Sequence, residues 1–313
     1  RLTGQFWSVY FPCELHALPV DHNPVFRALE TIDTIKRMSA LHPDTFRFVR
    51  STAEFEHAFN QGKISSMLGV EGGHHIADSM ATLRQFAELG VRYLTLTHNC
   101  HTRWAESCCD PGPPPPFGSE RGLSTFGEKV VGELNRLGVF VDISHVSHAA
   151  MRAVLRVTKA PVLFSHSSAY ALCPIQRNVP DDVLVALRRT DGVVMVNFYS
   201  RFIRCDGKRA TVEDVANHVQ HIASVAGKEH VGLGSDFDGI DVTPIGLEDV
   251  SKYPNLISEM LRRGWTDKEV VALAGGNLLR IWKGIEKVRD QLEEQGVLPE
   301  EARVDDDEDE VKL

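Results

Sequence analysis

The 313-residue sequence lacks any apolar run near the roughly 18 residues that a bilayer-spanning helix requires, so nothing in it reads as a membrane span. It also lacks a basic run. Acidic residues outnumber basic ones 43 to 34, for a net charge of −9, and part of the excess sits in the last stretch, EEARVDDDEDEVKL. That balance argues against a nucleic-acid partner and against an anionic membrane surface. GxSxG, Walker and glycine-rich dinucleotide fingerprints are missing, which leaves serine-hydrolase, nucleotide-hydrolase and dehydrogenase readings without support. There is no CxxC, and Cys13, Cys100, Cys108, Cys109, Cys173 and Cys205 are too scattered for a zinc ribbon. Spacing alone leaves two states open: six reduced thiols, or two or three disulfides in a secreted protein. The opening RLTGQFWSVY is neither a signal peptide nor an initiator methionine, and reads as a processed, trimmed or incomplete N-terminus.

What remains is a soluble globular composition, 42% apolar and 25% charged. The length suits two domains or one α/β barrel, which needs about 250 residues. Short apolar runs alternate with helical patterns: strands at 4–10, 64–70, 93–96, 139–143, 162–164, 193–196 and 231–233. Between them, capping boxes are read at Ser51–Glu54, Thr125–Glu128 and Thr266–Glu269. Phe26, Leu29, Ile32, Ile35 and Met38 give one helix its apolar spacing, and DPGPPPPF is a surface loop. With no repeat and no linker, one barrel-like domain over 1–298 fits better than two, followed by a solvated acidic tail at 299–313. Seven strands leave an eight-stranded barrel one short, and the natural place for the eighth is before Arg1.

The informative stretch is VFVDISHVSHAAMRAVLRVTKAPVLFSHSS, residues 139–168. Two apolar runs flank a helical pattern, a βαβ unit, and each run ends in Ser-His: Ser144-His145 and Ser165-His166. The carboxyl ends of parallel strands are where α/β folds place their chemistry. A single strand-end histidine is often only a satisfied polar residue; two at equivalent positions point to a metal. The other strand ends supply Glu71, His98 and Asp236, so the set is one of metal ligands and acid/base groups.

GVEGGHHI, YLTLTHNC, VDISHVSH, FSHSSAY, RNVPDD, MVNFY and GSDFDG, in this order, closely resemble the membrane (renal) dipeptidases, peptidase family M19. The resemblance implies a TIM-like (β/α)8 metal-dependent hydrolase barrel with two Zn2+ ions, which hydrolyses dipeptides through a metal-bridging hydroxide. By that resemblance Glu71 is the carboxylate bridging both ions, and His145 and His166 are ligands of the second. His98 contacts the substrate and stabilises the oxyanion, Arg177 holds the substrate carboxylate, and Asp236 orients the water or handles protons at the leaving amine. His74, His75, His101, His148 and Asp238 read as neighbours or surface. The family's first zinc is held by a His-x-Asp pair upstream of the segment matching GQFWSVY. The sequence begins after it, which implies a missing first strand, an incomplete first metal site and weak activity for the chain as it stands. Asp21-His22-Asn23 runs in the reverse order and is read as coincidence. The resemblance also implies Cys13–Cys100 and Cys173–Cys205 pairs if the compartment is oxidising, with a secreted or membrane-associated parent; otherwise the protein is cytoplasmic. Cys108 and Cys109 find no counterpart, and a homodimer stays open. Two rivals to the dipeptidase are a metal-free pseudoenzyme or interaction domain, and another metal-dependent amidohydrolase. The latter typically bridges its metals with a carboxylated lysine, and no lysine stands at a strand end.

Overall fold

The computed structural model describes residues 2–15 and 23–306; Asp21 and His22 fall outside them. Two compact units divide the chain, Arg1–Ala160 with Trp282–Leu313, and Pro161–Ile281.

The first unit carries β1 (Gly4–Val9), α1 (Pro24–Leu41), β2 (Phe46–Phe48), α2 (Thr52–Asn60), β3 (Ile64–Glu71), α3 (Met80–Leu89), β4 (Val91–Thr95), α4 (Thr125–Leu137), β5 (Phe140–Asp142) and α5 (His148–Val157). All the pairings are parallel: β1 with β3, β3 with β4, and β4 with β5. β2 pairs with the first residues of β3, Ile64 to Ser66, whereas β4 takes the last, Leu68 to Glu71. β2 is the strand that sequence reading misses, because FRF is three residues long with an arginine at its centre. It joins the seven others that the sequence marks. Met67, Leu68 and Val70 of β3 are buried, each contributing roughly 1.5–3 kcal/mol of transfer free energy.

The helices follow their periodicity with corrections. α1 buries Ala28, Ile32 and Ile35, while Phe26 and Leu29 are exposed: the buried stripe lies one residue to the side of the expected one. Ser124, not Thr125, caps α4, accepting from Gly127 N at 3.2 Å, because Thr125 is already inside the first turn. Ser51 caps α2 through Glu54 N at 3.1 Å, but the Glu54 carboxylate accepts from Arg50 N at 2.6 Å instead of closing the box.

The expected solvated tail is in its described part packed. Arg84 Nη1 donates to Glu300 O at 2.8 Å, Glu300 N donates to Glu133 Oε2 at 3.2 Å, Arg103 pairs with Asp305 at 2.6 Å, and Val304 is buried. The acidic composition hides one apolar anchor and a buried acceptor, Glu133. Arg136 and Arg84 hold that carboxyl below its usual range against the opposing effect of burial.

The second unit carries β6 (Leu163–Phe164), α6 (Asp181–Leu187), β7 (Val193–Val196), α7 (Ser200–Ile203), α8 (Val212–Ala226), β8 (Val231–Leu233), α9 (Tyr253–Arg262) and α10 (Asp267–Val271), then the start of α11 (Asn277–Glu294). β7 pairs in parallel with β6 and β8. Reciprocal capping boxes open α8 (Thr211/Asp214) and α10 (Thr266/Glu269), the latter as the sequence predicts. Asn277 Nδ2 ties α11 to the backbone at Lys228 O and Val231 O, both at 2.8 Å. Among the described residues no helix is long and apolar enough to cross a membrane.

Candidate active site

The expected site residues other than Arg177, which lies in the loop before α6, stand at or just after the carboxyl ends of their strands. In the first unit Glu71 ends β3, His98 follows β4 and His145 follows β5. The two glycines after Glu71 make this placement feasible. Gly72 has φ +112°, and a Cβ on Gly73 would stand 2.3 Å from Leu96 O and 2.6 Å from the Trp104 ring. His145 has φ 64°, a left-handed conformation that costs roughly 1–2 kcal/mol in an L-residue and turns the chain sharply off β5.

These three side chains come together. Glu71 Oε1 is 3.1 Å from His145 Nε2, and Glu71 Oε2 accepts from Ser8 Oγ at 2.8 Å. The His98 and His145 rings stand 4.5 Å apart. One ligand atom from each of Glu71, His98 and His145 lies within 4.8 Å of the others. Two imidazole nitrogens and a carboxylate oxygen at that separation form a donor set that suits zinc. Cys13, Glu14 and Cys100 are equally close, but the two sulfurs are bonded to each other and leave no thiolate ligand.

Sequence reasoning missed several neighbours. Ser8 and Tyr10 lie two residues apart on β1 and its end, hence on one side of it, and Ser8 registers with Gly69 of β3. That alternation was the signal available. The Tyr10 ring meets His98 edge-on at 4.8 Å. Burial, then the carboxylates of Glu14 and Glu71, push its phenol up to about 12, so it keeps its proton at neutral pH. Of the two places expected for His75, a neighbour of the site or the surface, it takes the first. It is fully buried, its Nδ1 is 2.9 Å from Gly72 O, and burial pushes it down to about 4, so it is neutral.

The second unit holds the other three residues. His166 follows β6, with Ser165 Oγ 2.7 Å from its Nδ1, a bond that restrains the ring. Arg177 is buried, donates to His166 O at 3.3 Å and to Ser167 Oγ at 3.4 Å, and lies over the Phe202 ring at 5.2 Å. Asp236 follows β8 with φ 64°. A Cβ on Gly239 would stand 2.4 Å from its Oδ1, so Gly239 leaves room for that carboxylate. Next to it, Ser235 Oγ bonds the half-buried Tyr253 hydroxyl at 2.7 Å.

All three cysteine pairs are bonded: Cys13–Cys100, Cys173–Cys205 and the adjacent Cys108–Cys109. The first two are the pairs that the resemblance implies.

The sequence model of the membrane dipeptidases, peptidase family M19, matches residues 1–296. The chain belongs to this family. It is 47% identical over 297 residues to the dipeptidase aclJ of Aspergillus oryzae, covering 93% of this chain and 69% of that protein. Among solved structures it is similar to the M19 metallopeptidase "dipeptidase AC" (30% identity, TM-score 0.80, 90% of this chain and 85% of the other). It is also similar to a metallopeptidase from Rhodobacter sphaeroides bound to a phosphinate mimic of L-Ala-D-Ala (27% identity, TM-score 0.80, 90% and 87%). Membership gives the chain its class, a hydrolytic enzyme of a metallopeptidase family, and its α/β fold class, that of the TIM-like M19 structures. These likenesses do not favour the pseudoenzyme or the non-peptidase amidohydrolase.

Proposed function

We propose that this M19 enzyme is a zinc dipeptidase of the family's two-ion kind, and that its residues 1–313 supply the second ion site in full and the first in part. Glu71 would bridge them and His145 and His166 would hold the second. The observation that carries the reading is the approach of Glu71, His98 and His145 to within 4.8 Å of one another in a chain of a dipeptidase family. Bound there, zinc supplies a lowered water pKa and Lewis-acid polarisation of the scissile carbonyl.

The remaining work falls to the protein. Ser8 holds one oxygen of Glu71 and so fixes the carboxylate plane before any ion arrives. His98, packed against Tyr10, offers an N–H to the oxygen on which negative charge develops. Arg177 receives the substrate carboxylate with a planar, permanently charged fork. Its stacking on Phe202 and its bonds to Ser167 and His166 O restrict its rotamers beforehand. Asp236 orients the attacking water or passes a proton to the departing amine. A ligand for the carboxylate end favours a short peptide, because both ends must be held at once. Three disulfides fit a protein of an oxidising compartment.

The test is Glu71→Gln in the full chain, reconstituted with zinc and given a simple dipeptide. Turnover is expected to fall by at least about a thousandfold, as when a group essential to metal catalysis is removed. Zinc per folded chain, measured by elemental analysis, is expected to drop below the wild-type value. Near-normal turnover in the variant would refute the assignment.

A further inference from the structure

Between β4 and α4 runs a segment to which the reaction above gives no role. Ser107 is buried in it. Its Oγ donates to His98 O at 2.6 Å and lies 3.4 Å from His145 O. The next amide, Cys108 N–H, donates to His145 O at 2.8 Å, and Cys109 N–H donates back to Ser107 Oγ at 3.1 Å. Ser107 N–H donates to His101 Nδ1 at 3.0 Å, and Ser107 forms an antiparallel bridge with Val146, the residue after His145. Two consecutive residues, Ser107 and Cys108, therefore grip the main chain of both histidines whose rings stand 4.5 Å apart, and Cys109 N–H holds the Ser107 hydroxyl from behind. Neither histidine sits in regular structure, so no strand or helix ladder holds their carbonyls.

The disulfide closes this grip. Cys108 and Cys109 are adjacent and bonded, so a small ring runs through the peptide between them. Such a ring removes most of the torsional freedom of that peptide in the native chain. The two donors, Cys108 N–H and Cys109 N–H, are locked in one relative orientation, one aimed at His145 O and the other at Ser107 Oγ.

The geometry points to Ser107–Cys108–Cys109 being a covalently locked clamp that sets the spacing of His98 and His145, with Ser107 as its positioning residue. The role rests on the dipeptidase reading of those two histidines. Opening the lock takes a reductant of the dithiol class: the sulfur–sulfur bond breaks, two electrons and two protons pass to the cysteines, and the dithiol becomes a cyclic disulfide. Both sulfurs belong to half-buried residues, within reach of such a reagent. A freed peptide lets Cys108 N–H swing away from His145 O, which then keeps the Thr97 hydroxyl at 3.1 Å, and takes Cys109 N–H from the Ser107 hydroxyl that holds His98 O; a displacement near 1 Å at a reacting group costs about a hundredfold in rate.

The experiment compares wild type, Ser107→Ala and Cys108→Ala/Cys109→Ala as zinc-loaded full chains on one dipeptide. Each variant is expected to lose about tenfold to a hundredfold in kcat per folded molecule, with KM within about twofold, because geometry is lost and binding is not; the thermal midpoint also falls, as a lost buried hydrogen bond or disulfide requires. A purely structural role would move the midpoint alone and leave kcat per folded molecule intact. Dithiol treatment, followed by removal of the reagent and reloading with zinc, should lower the kcat of wild type more than that of the double variant, whose own loss reports the other two disulfides, Cys205 being exposed. Wild-type kcat in a folded Cys108→Ala/Cys109→Ala protein overturns the clamp, including when Ser107→Ala does not fold. Equal inhibition of wild type and double variant by the dithiol overturns it as well. Absence of turnover in wild type would instead overturn the dipeptidase reading, and the clamp's role with it.

Discussion

His218 makes stability depend on pH in a way that can be isolated. It is buried on α8, where its Nδ1 accepts from Ala169 N at 3.0 Å and its Nε2 is 3.0 Å from Ile203 O. An acceptor at one nitrogen and a donor at the other require the neutral ring. Burial pushes its pKa from 6.5 down to about 4, partly opposed by the Ile203 carbonyl. The folded value lies below the unfolded one, so between pH 6.5 and about 4 the unfolded chain binds a proton that the folded chain refuses. The contribution is complete above pH 6.5, declines as pH falls through that window and is exhausted below about 4. At 1.36 kcal/mol per unit the whole shift is about 3 kcal/mol. His218→Gln removes the titration while keeping an amide donor and acceptor, and its own cost does not vary with pH. Urea unfolding followed by circular dichroism from pH 7 to 4 should show the gap between wild type and variant shrinking by about that amount as pH falls. Parallel curves across the window would refute the assignment of a neutral, bridging imidazole.

Two further perturbations test other parts of the molecule. Arg177→Lys keeps the charge but loses the fork, so KM for a dipeptide should rise at least about tenfold while kcat changes little; a C-terminally amidated dipeptide should show no such change, and an equal effect on both substrates would remove Arg177 from the carboxylate site. Cys173→Ser/Cys205→Ser opens a bond spanning 32 residues of sequence, worth about 3.5 kcal/mol by loop entropy, and a drop below about 1 kcal/mol in denaturant titrations would place the constraint elsewhere.

Much of this was legible before any coordinates. β7 and β8 fall where their apolar runs do, and α3, α4 and α5 begin and end as their periodicity dictates, because short buried runs and capped amphipathic segments leave little choice. The strand-end residues Glu71, His98 and His145 converge as parallel topology requires, since successive strands expose their carboxyl ends on one edge. What stayed hidden depended on partners distant in sequence. β2 exists because Ile64 to Ser66 of β3 offer it a register, not because FRF signals a strand. Ser8 and Tyr10 were visible only as a strand's alternation until β3 was laid beside it. The burial of His75 and the grip of Ser107 on two carbonyls arise from loop geometry, for which composition carries no signal. The packed part of the tail was concealed by its acidity, because Val304 is one apolar residue among charges.

That tail changes how the chain's surplus of carboxylates should be regarded. The stretch that carries part of the chain's negative excess also lends a peptide N–H to Glu133 and a carbonyl to Arg84, both from Glu300, at the flank of α3 and α4. Charge and interior satisfaction are thus divided between its side chains and its backbone: replacing the acidic side chains would leave that polar seam closed, whereas cutting the chain before Glu300 would open it.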